Sequence, residues 1–327
     1  MTRIHSIAPA LAVVAAAVLA SAPLMARAEG FPEKSITFVV PFAAGTATDQ
    51  IARAIGNGVT AETKQAVIID NKAGASGFIA SQQVAKAAPD GYTVLITTNT
   101  THAANEHLFK KLPYDPVKDF APITALGKGG QIMVVNPSFP AKTVAEFVAM
   151  AKKDPGKYNF GSGSSSSRMA GELLQQMADI KLLHVPYKSN TLAVTDLLGG
   201  TIDMMITDTA TGLPQVKSGK LRALGMSSSN RSPLAPDVPT IAEAGVKGYE
   251  MGYWFAAYAP AKTPPAVVKR LNELLVKAAK SEAAKNAFYE PTGTEVFTTS
   301  PEAMAKFQAD ESRKWGRIVK AAGIEAE

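Results

Sequence analysis

The sequence predicts an α/β protein with a mainly parallel sheet and two lobes facing a cleft. Three observations carry that prediction. β-rich apolar runs alternate along the chain with runs of helical spacing, and the joints between them are rich in Gly, Ser and Thr. One arrangement, strand then Gly-containing loop then helix, occurs twice, at residues 37–59 and 157–178. Such alternation favours parallel strands joined by helices. In open α/β sheets, ligands lie beyond the carboxyl ends of the strands, where these loops sit.

Taken in order, "KSITFVVPF" is a strand that stops at Pro41. After the loop "AAGTATD", Ile51, Ile55 and Val59 recur at i, i+4 and i+8, one face of a helix. "QAVIIDN" is a second strand, "GFIASQQVAKAAPDG" a helix closed by a Pro-Asp-Gly turn, and "YTVLITT" a third strand. A second series follows the Gly-rich "LGKGG". "QIMVVNP" is a strand, and "KTVAEFVAMAKKDPG" a helix opened by the capping box Thr143-x-x-Glu146 and closed by Pro-Gly. "KYNFGS" is a strand leading into "GSGSSSSRMAGELLQQM", where Met169, Leu173 and Met177 form a buried stripe. The short strands "LLHVPY" and "IDMMIT" flank the helical "NTLAVTDLLGG". "LRALGMSS" and the aromatic "YEMGYWFAAYAPA" are further strands. A helix over "KTPPAVVKRLNELLVKAAKSEAAKNAF" is expected to take Thr263 as N-cap and Pro264 as its first residue. No tandem repeat is present.

The N-terminus reads as an export signal. Arg3 supplies the positive end, "LAVVAAAVLA" a short apolar run, and Ala26-Arg27-Ala28 the small-x-small site, so cleavage is expected after about Ala28. The run is too short to span a bilayer, and no later segment is long enough. With no cysteine in 327 residues, thiol nucleophiles, thiolate metal sites and redox pairs are excluded. A chain of this size buries enough surface to fold without disulfides. The formal net charge is +6, and two of those charges, Arg3 and Arg27, belong to the leader. That excess, with no basic cluster interleaved with aromatics, points away from nucleic acid and is compatible with small anions.

The small-residue loops point to anion binding. About four N–H groups at a helix start lack intrahelical partners, and the helix dipole adds roughly half a positive charge there. Carboxylates bind such a start without a lysine. Gly admits an oxyanion to the backbone, and Ser adds a rotatable donor. "GSGSSSSRM" has this form, with Gly161, Ser162, Ser164, Ser165 and Ser167 as donors. Arg168 in the first turn opposes the dipole unless an anion is present for its guanidinium to grip; the plainer reading pairs it with a nearby acid. In "PFAAGTATD", Phe42, Ala43, Gly45, Thr46 and Thr48 make a second loop, with Asp49 read as a helix cap. Thr98, Asn99, Thr100 and Ala103 lie in a third polar cluster after a strand, and Asp208 follows the strand "IDMMIT".

Enzyme motifs are absent. There is neither a Gly-x-Ser-x-Gly elbow nor a Gly-Lys-Ser/Thr phosphate loop. His102 and His107 are five apart, off a common helical face, and His184 in "LLHVPY" reads as a satisfied strand residue. Binding without chemistry is favoured, and no cofactor or metal is expected. The rival enzyme reading is a secreted esterase using one of the clustered serines, with no histidine obviously placed to help.

Six blocks carry a family resemblance: "ITFVVPFAAGTATDQIARAI", "VIIDNKAGASGFIASQQVAKAAPDGYTVLI", "LPYDPVKDFAPIT", "HVPYKSNTLAVTDLLGGTIDMMI", "GKLRALGMSSSNRSPLAPDVPTIAEAG" and "APAKTPPAVVKRLN". In this order they resemble the Bug family, periplasmic solute-binding proteins of tripartite tricarboxylate transporters. The resemblance runs from about Phe31 to the C-terminus. It implies a two-lobed, type II periplasmic-binding-protein fold, mainly parallel sheets with flanking helices and a hinge of two crossover segments. Lobe 1 is expected at residues 29–127 plus 260–327, and lobe 2 at 128–259. The resemblance further implies a monomer in the periplasm that takes a small carboxylate and meets membrane permease subunits transiently. Its first binding loop matches Pro41 to Asp49, its second Thr98 to Ala103, its carboxylate-binding helix start Gly161 to Ser167, and its acidic loop Asp208. Two departures, Gly45-Thr46 for the usual Gly-Gly and Arg168 for the usual His or other polar residue, hint at a differently selected ligand. The expectation is a dicarboxylate, with an aromatic one such as terephthalate in view. A clamshell presenting its ligand to a sensor kinase would use the same cleft.

Overall fold

The computed structural model describes residues 30–321 and 323–326, so the expected leader and its expected cleavage site lie outside the described residues. The strands are β1 (Ile36–Val40), β2 (Val67–Asn71), β3 (Thr93–Thr98), β4 (Phe120–Val135), β5 (Asn159–Ser162), β6 (Leu183–Pro186), β7 (Met204–Asp208), β8 (Arg222–Met226) and β9 (Gly252–Pro260). They form one sheet in the order β2-β1-β3-β9-β4-β7-β5-β6, with β8 added on β4. β1 runs parallel to β2 and β3, and β5 parallel to β6 and β7. The two long strands, β4 and β9, run antiparallel to their neighbours.

β4 explains how one sheet makes two lobes. Its residues 120–130 pair with β9, and residues 131–135 pair with β7. One strand therefore passes from the first half of the sheet into the second. Its entry through "DFAPIT" was not legible, because Pro122 interrupts the alternation that marks a strand. On the return crossing, Phe255 to Tyr258 pair with Leu95 to Thr98 of β3. β9 thus joins the first half from Gly252 onward. Its alternate side chains are buried on both faces: Tyr253 and Phe255 enter one apolar cluster, Trp254 and Tyr258 the other.

One serine ties the crossings together. The Ser227 amide donates to the Gln131 carbonyl (2.8 Å), and its hydroxyl accepts the Gln131 amide (2.6 Å). The same hydroxyl donates to the Met251 carbonyl, while the Met251 amide donates to the Ser227 carbonyl (2.9 Å). All backbone groups in this buried junction are therefore satisfied by one another.

Helices cover both faces. α1 (Ala47–Thr63), α2 (Phe78–Ala85), α3 (Val144–Lys153), α4 (Ser165–Ala178), α5 (Asn190–Leu198), α6 (Thr209–Lys217), α7 (Pro265–Ala279) and α8 (Pro301–Ala321) are the longer ones among the described residues. The expected face Ile51, Ile55 and Val59 of α1 is buried with Leu271, Leu274 and Leu275 of α7. Each such side chain contributes about 1.5–3 kcal/mol by leaving water. Thr143 caps α3 as expected, its side chain accepting the Glu146 amide at 3.1 Å. The α4 stripe holds for Met169 and Leu173, but Met177 is 38% exposed in the last turn. α7 starts one residue later than expected, with Pro264 at the N-cap and Pro265 first in the helix. No helix among the described residues is long and apolar enough to cross a membrane.

α1 begins after a loop held by Asp49. The helix cap is Thr46, not Asp49. From the first turn, the buried Asp49 carboxylate accepts N–H groups of Gly45 (2.9 Å), Arg53 (3.0 Å) and Asn71 (3.0 Å). Burial pushes its pKa up, but the bonds from Arg53, Gly45 and Asn71 outweigh this and hold it below the ordinary value of 3.8. A lowered carboxylate stabilises the fold above its unfolded value and ceases to do so as pH falls through its folded one. Asp49→Ala is expected to cost about 2 kcal/mol at neutral pH. The gap from the parent should be complete above about pH 5 and should close in stronger acid. Urea unfolding at pH 7 and pH 3 measures it; equal gaps at both would remove the ion-pair account.

Candidate functional site

The two loop-helix units meet across a small cavity of ≈ 40 Å³ between the halves of the sheet. The first half supplies Phe42, Thr46, Ala47 and Thr48 at the start of α1, Thr98 at the end of β3, and Tyr253 and Phe255 from β9. The second half supplies Gly163, Ser164 and Ser166 at the start of α4, Asn190 at the start of α5, and Asp208 at the end of β7. Such a volume suits one carboxylate group or a few waters.

Local structure explains which donors face inward. The Thr46 side chain donates to the Ala43 carbonyl (2.8 Å) and makes no helix cap. The first amides of α1, those of Ala47 and Thr48, thus remain for another acceptor. At α4 the Ser164 hydroxyl accepts the Ser167 amide (3.2 Å) and sits 3.1 Å from the Ser166 hydroxyl. The earlier amides of this helix, those of Ser165 and Ser166, have no acceptor within it. Gly163 is required by packing: a Cβ there would lie 1.8 Å from the Ser189 carbonyl carbon. Its amide donates to Asn190 Oδ1 (2.9 Å), and Asn190 Nδ2 donates to Asp208 Oδ2 (3.0 Å). Asp208 caps α6 by accepting the Thr211 amide (2.8 Å).

Of the residues singled out in the sequence, Phe42, Thr46, Thr48, Thr98, Ser164 and Asp208 line this cavity. Others do not reach it. The Gly45 amide is taken by Asp49, and the Ala43 carbonyl by Thr46. Asn99 turns its side chain to Thr98 and the Gly252 carbonyl. Thr100 and Ala103 are buried in a π-helical turn (Thr100–Ala104). Gly161 packs under Ile202, and the Ser167 hydroxyl donates to the Ile206 carbonyl of β7. Sequence reasoning missed Ala47, Gly163, Ser166, Asn190, Tyr253 and Phe255. Ala47 lies inside the loop Pro41 to Asp49, and Gly163 and Ser166 inside the run Gly161 to Ser167, although none was named singly; the aromatic pair was legible only as strand.

A wider compartment of ≈ 410 Å³ continues outward and shares Phe42, Gly163 and Ser164 with the cavity. Arg168, Lys188, Ser162, Ser165, His184, Phe109 and Tyr187 line it. Arg168 Nε lies 3.8 Å from Glu172 one turn on, the acid pairing considered from sequence, and still borders the compartment. The Ser165 hydroxyl donates to Asn105 Oδ1 (2.8 Å). Contrary to the sequence reading, a histidine does meet a clustered serine: His184 Nε2 is 2.7 Å from Ser162 Oγ, its ring against Phe160. His102 is fully buried on the Tyr258 ring at 3.9 Å, and burial pushes its imidazole down to about 3. His107 meets Ser312 at 3.0 Å.

The sequence profile described as the tripartite tricarboxylate transporter family receptor, TctC, matches residues 51–324. A protein of Pseudomonas sp. strain P51, named for the tcbD-tcbE intergenic region, is 35% identical over 94% of this chain and 92% of its own. Rpa4515 of R. palustris, solved with adipate, superposes with a TM-score of 0.88 at 33% identity, covering 91% of this chain and 100% of that one. MatC of Rhodopseudomonas palustris, solved with bound malate, gives 0.83 at 31% identity, covering 88% and 100%. The two-lobed fold, the cavity between its halves and these matches agree: the chain belongs to the tripartite tricarboxylate transporter receptor family, solute-binding proteins and not enzymes.

Proposed function

We propose that this chain is a periplasmic receptor that holds a small dicarboxylate between its lobes and hands it to the permease subunits of a tripartite transporter. One observation carries the reading. The starts of α1 and α4, from opposite halves, present amides and the hydroxyls of Thr48, Ser164 and Ser166 to one cavity. An anion placed there is contacted by both lobes only when they are closed, so its binding favours closure. The cavity takes one carboxylate, and the body of the solute extends into the outer compartment. Phe42, Phe109 and Tyr187 line that compartment, an apolar wall suited to the ring of an aromatic dicarboxylate such as terephthalate, and Arg168 and Lys188 face the far carboxylate. Carboxylate-bound relatives, with adipate and with malate, support the ligand class.

The lobes are taken to divide where β4 passes from β9 to β7 and where the chain returns at Met251, with the hinge at those crossings. The clustered serines act here as donors, and the Ser162–His184 contact fixes the loop that carries them.

Isothermal titration against malate, adipate, terephthalate and their monocarboxylate counterparts tests the reading directly; heat from none of the dicarboxylates would sink it. Arg168→Ala is expected to weaken dicarboxylates by about 1.5–3 kcal/mol while sparing monocarboxylates. Equal losses for both would assign Arg168 to the Glu172 pairing alone. Gly163→Ala is expected to force the α4 loop off Ser189 at about 1–3 kcal/mol of stability and to lower affinity for every ligand. Parent-like titration by that variant would mean the loop is not the seat of the anion.

A further inference from the structure

Tyr253 stands between two spaces. It lines the ligand cavity on one side, and on the other a groove of ≈ 1010 Å³ behind the crossings. Its ring is 4% exposed. Its hydroxyl lies 2.9 Å from Thr209 Oγ1 and 2.9 Å from Thr294 Oγ1. Burial pushes the phenol up to about 12, so it keeps its proton at neutral pH and can donate to one threonine while accepting from the other.

These partners belong to different lobes. Thr209 is the first residue of α6, directly after Asp208 at the end of β7 in the second half. Thr294 is tied to the first half: its amide donates to the Tyr289 carbonyl, and Glu295 next to it exchanges backbone bonds with Lys128. Tyr253 sits on β9, which pairs with β4 of the first half. The Tyr253–Thr294 bond is thus internal to one lobe, and the Tyr253–Thr209 bond spans the hinge. β4 leaves room for this arrangement by carrying glycine. A Cβ on Gly129 would lie 2.6 Å from the Tyr253 hydroxyl, and one on Gly130 2.7 Å from Ser228.

We infer that Tyr253 is a positioning residue for ligand capture: its hydroxyl latches the closed lobes through Thr209 and links the ligand cavity to the hinge. Rotation about the crossings carries Thr209 away and breaks that bond, whereas the bond to Thr294 persists in either state. The latch therefore adds free energy to the closed state alone. A neutral hydrogen bond of this kind is worth roughly a fivefold change in an equilibrium constant. The inference rests on the proposed closure around a solute, yet its test does not require the solute to be known.

The chain has no cysteine, so dyes can be placed on Ala73→Cys in the first lobe and Leu192→Cys in the second. Single-molecule energy transfer is then read in the ligand-free protein and with malate or adipate. Tyr253→Phe and Thr209→Val are each expected to lower the closed-to-open ratio about fivefold and to speed release of whichever acid binds. Thr294→Val should leave the ratio near that of the parent. Thr209→Ser, which restores the hydroxyl, should return it to the parent value. An unchanged ratio in Tyr253→Phe, an equal shift in Thr294→Val, or a Thr209→Ser protein that behaves like Thr209→Val would each overturn the latch. A shifted ligand-free ratio in a protein that binds neither acid supports the latch and counts against the carboxylate reading instead.

Discussion

Peptide N–H groups at the first turn of a helix have no acceptor within it, and two such turns face each other here. The starts of α1 and α4 come from opposite sheet halves, between which β4 passes and which meet at the junction around Ser227. Each is built so that its side chains do not consume all its own donors. Thr46 bonds backward to Ala43 and leaves α1 uncapped, while Ser164 caps only the Ser167 amide of α4. An uncapped start costs stability, commonly about 1 kcal/mol relative to a good cap. A fold retains that cost where the donors serve something else.

The rigid parts of the molecule support these two turns. Asp49 holds the α1 loop through Gly45, Arg53 and Asn71, which also fixes β2 to the loop because Asn71 closes that strand. On the other side, the backbone of Gly163 lies directly on Ser189 and Asn190, leaving no space for a side chain. Both loops are thereby set by contacts within the protein itself. Ligand contact then needs little reordering of either loop, and free energy goes into bringing the lobes together instead.

Much of this was legible in the sequence because it depends on local rules. The alternation of strands and helices, the buried face Ile51-Ile55-Val59, the Thr143 cap and the serine-rich start of α4 are all set by residues within a few positions of one another. The limits were long-range. β4 was read only from Gln131, since its first part is held by pairing with β9, over a hundred residues away. Tyr253 and Phe255 read as strand residues, and nothing nearby in sequence says that two sheet halves meet at them. Thr100 and Ala103 were singled out as polar-loop neighbours, but the chain winds there into a π-turn packed beneath the sheet end. Gly45 was read as a free donor because the reach of Asp49 back across four residues is a matter of side-chain geometry.

Asp208 sets the polarity within the cavity. A second negative charge about 5 Å away would be repelled by ~3 kcal/mol at an effective dielectric constant of 20. One exposed helix start returns about 0.3–1 kcal/mol, rising toward ~2 when partly buried. A single helix end therefore does not offset Asp208, whereas two ends joined by the hydroxyls of Thr48, Ser164 and Ser166 do. In the proposed binding mode the balance places anionic oxygens toward α1 and α4 and leaves the side nearest Asp208 to a neutral or hydrogen-donating part of the solute. Asn190 keeps these regions apart: its Oδ1 holds the Gly163 amide at the α4 side and its Nδ2 holds Asp208. One amide side chain thus fixes the spacing between the helix-start wall of the cavity and its carboxylate wall.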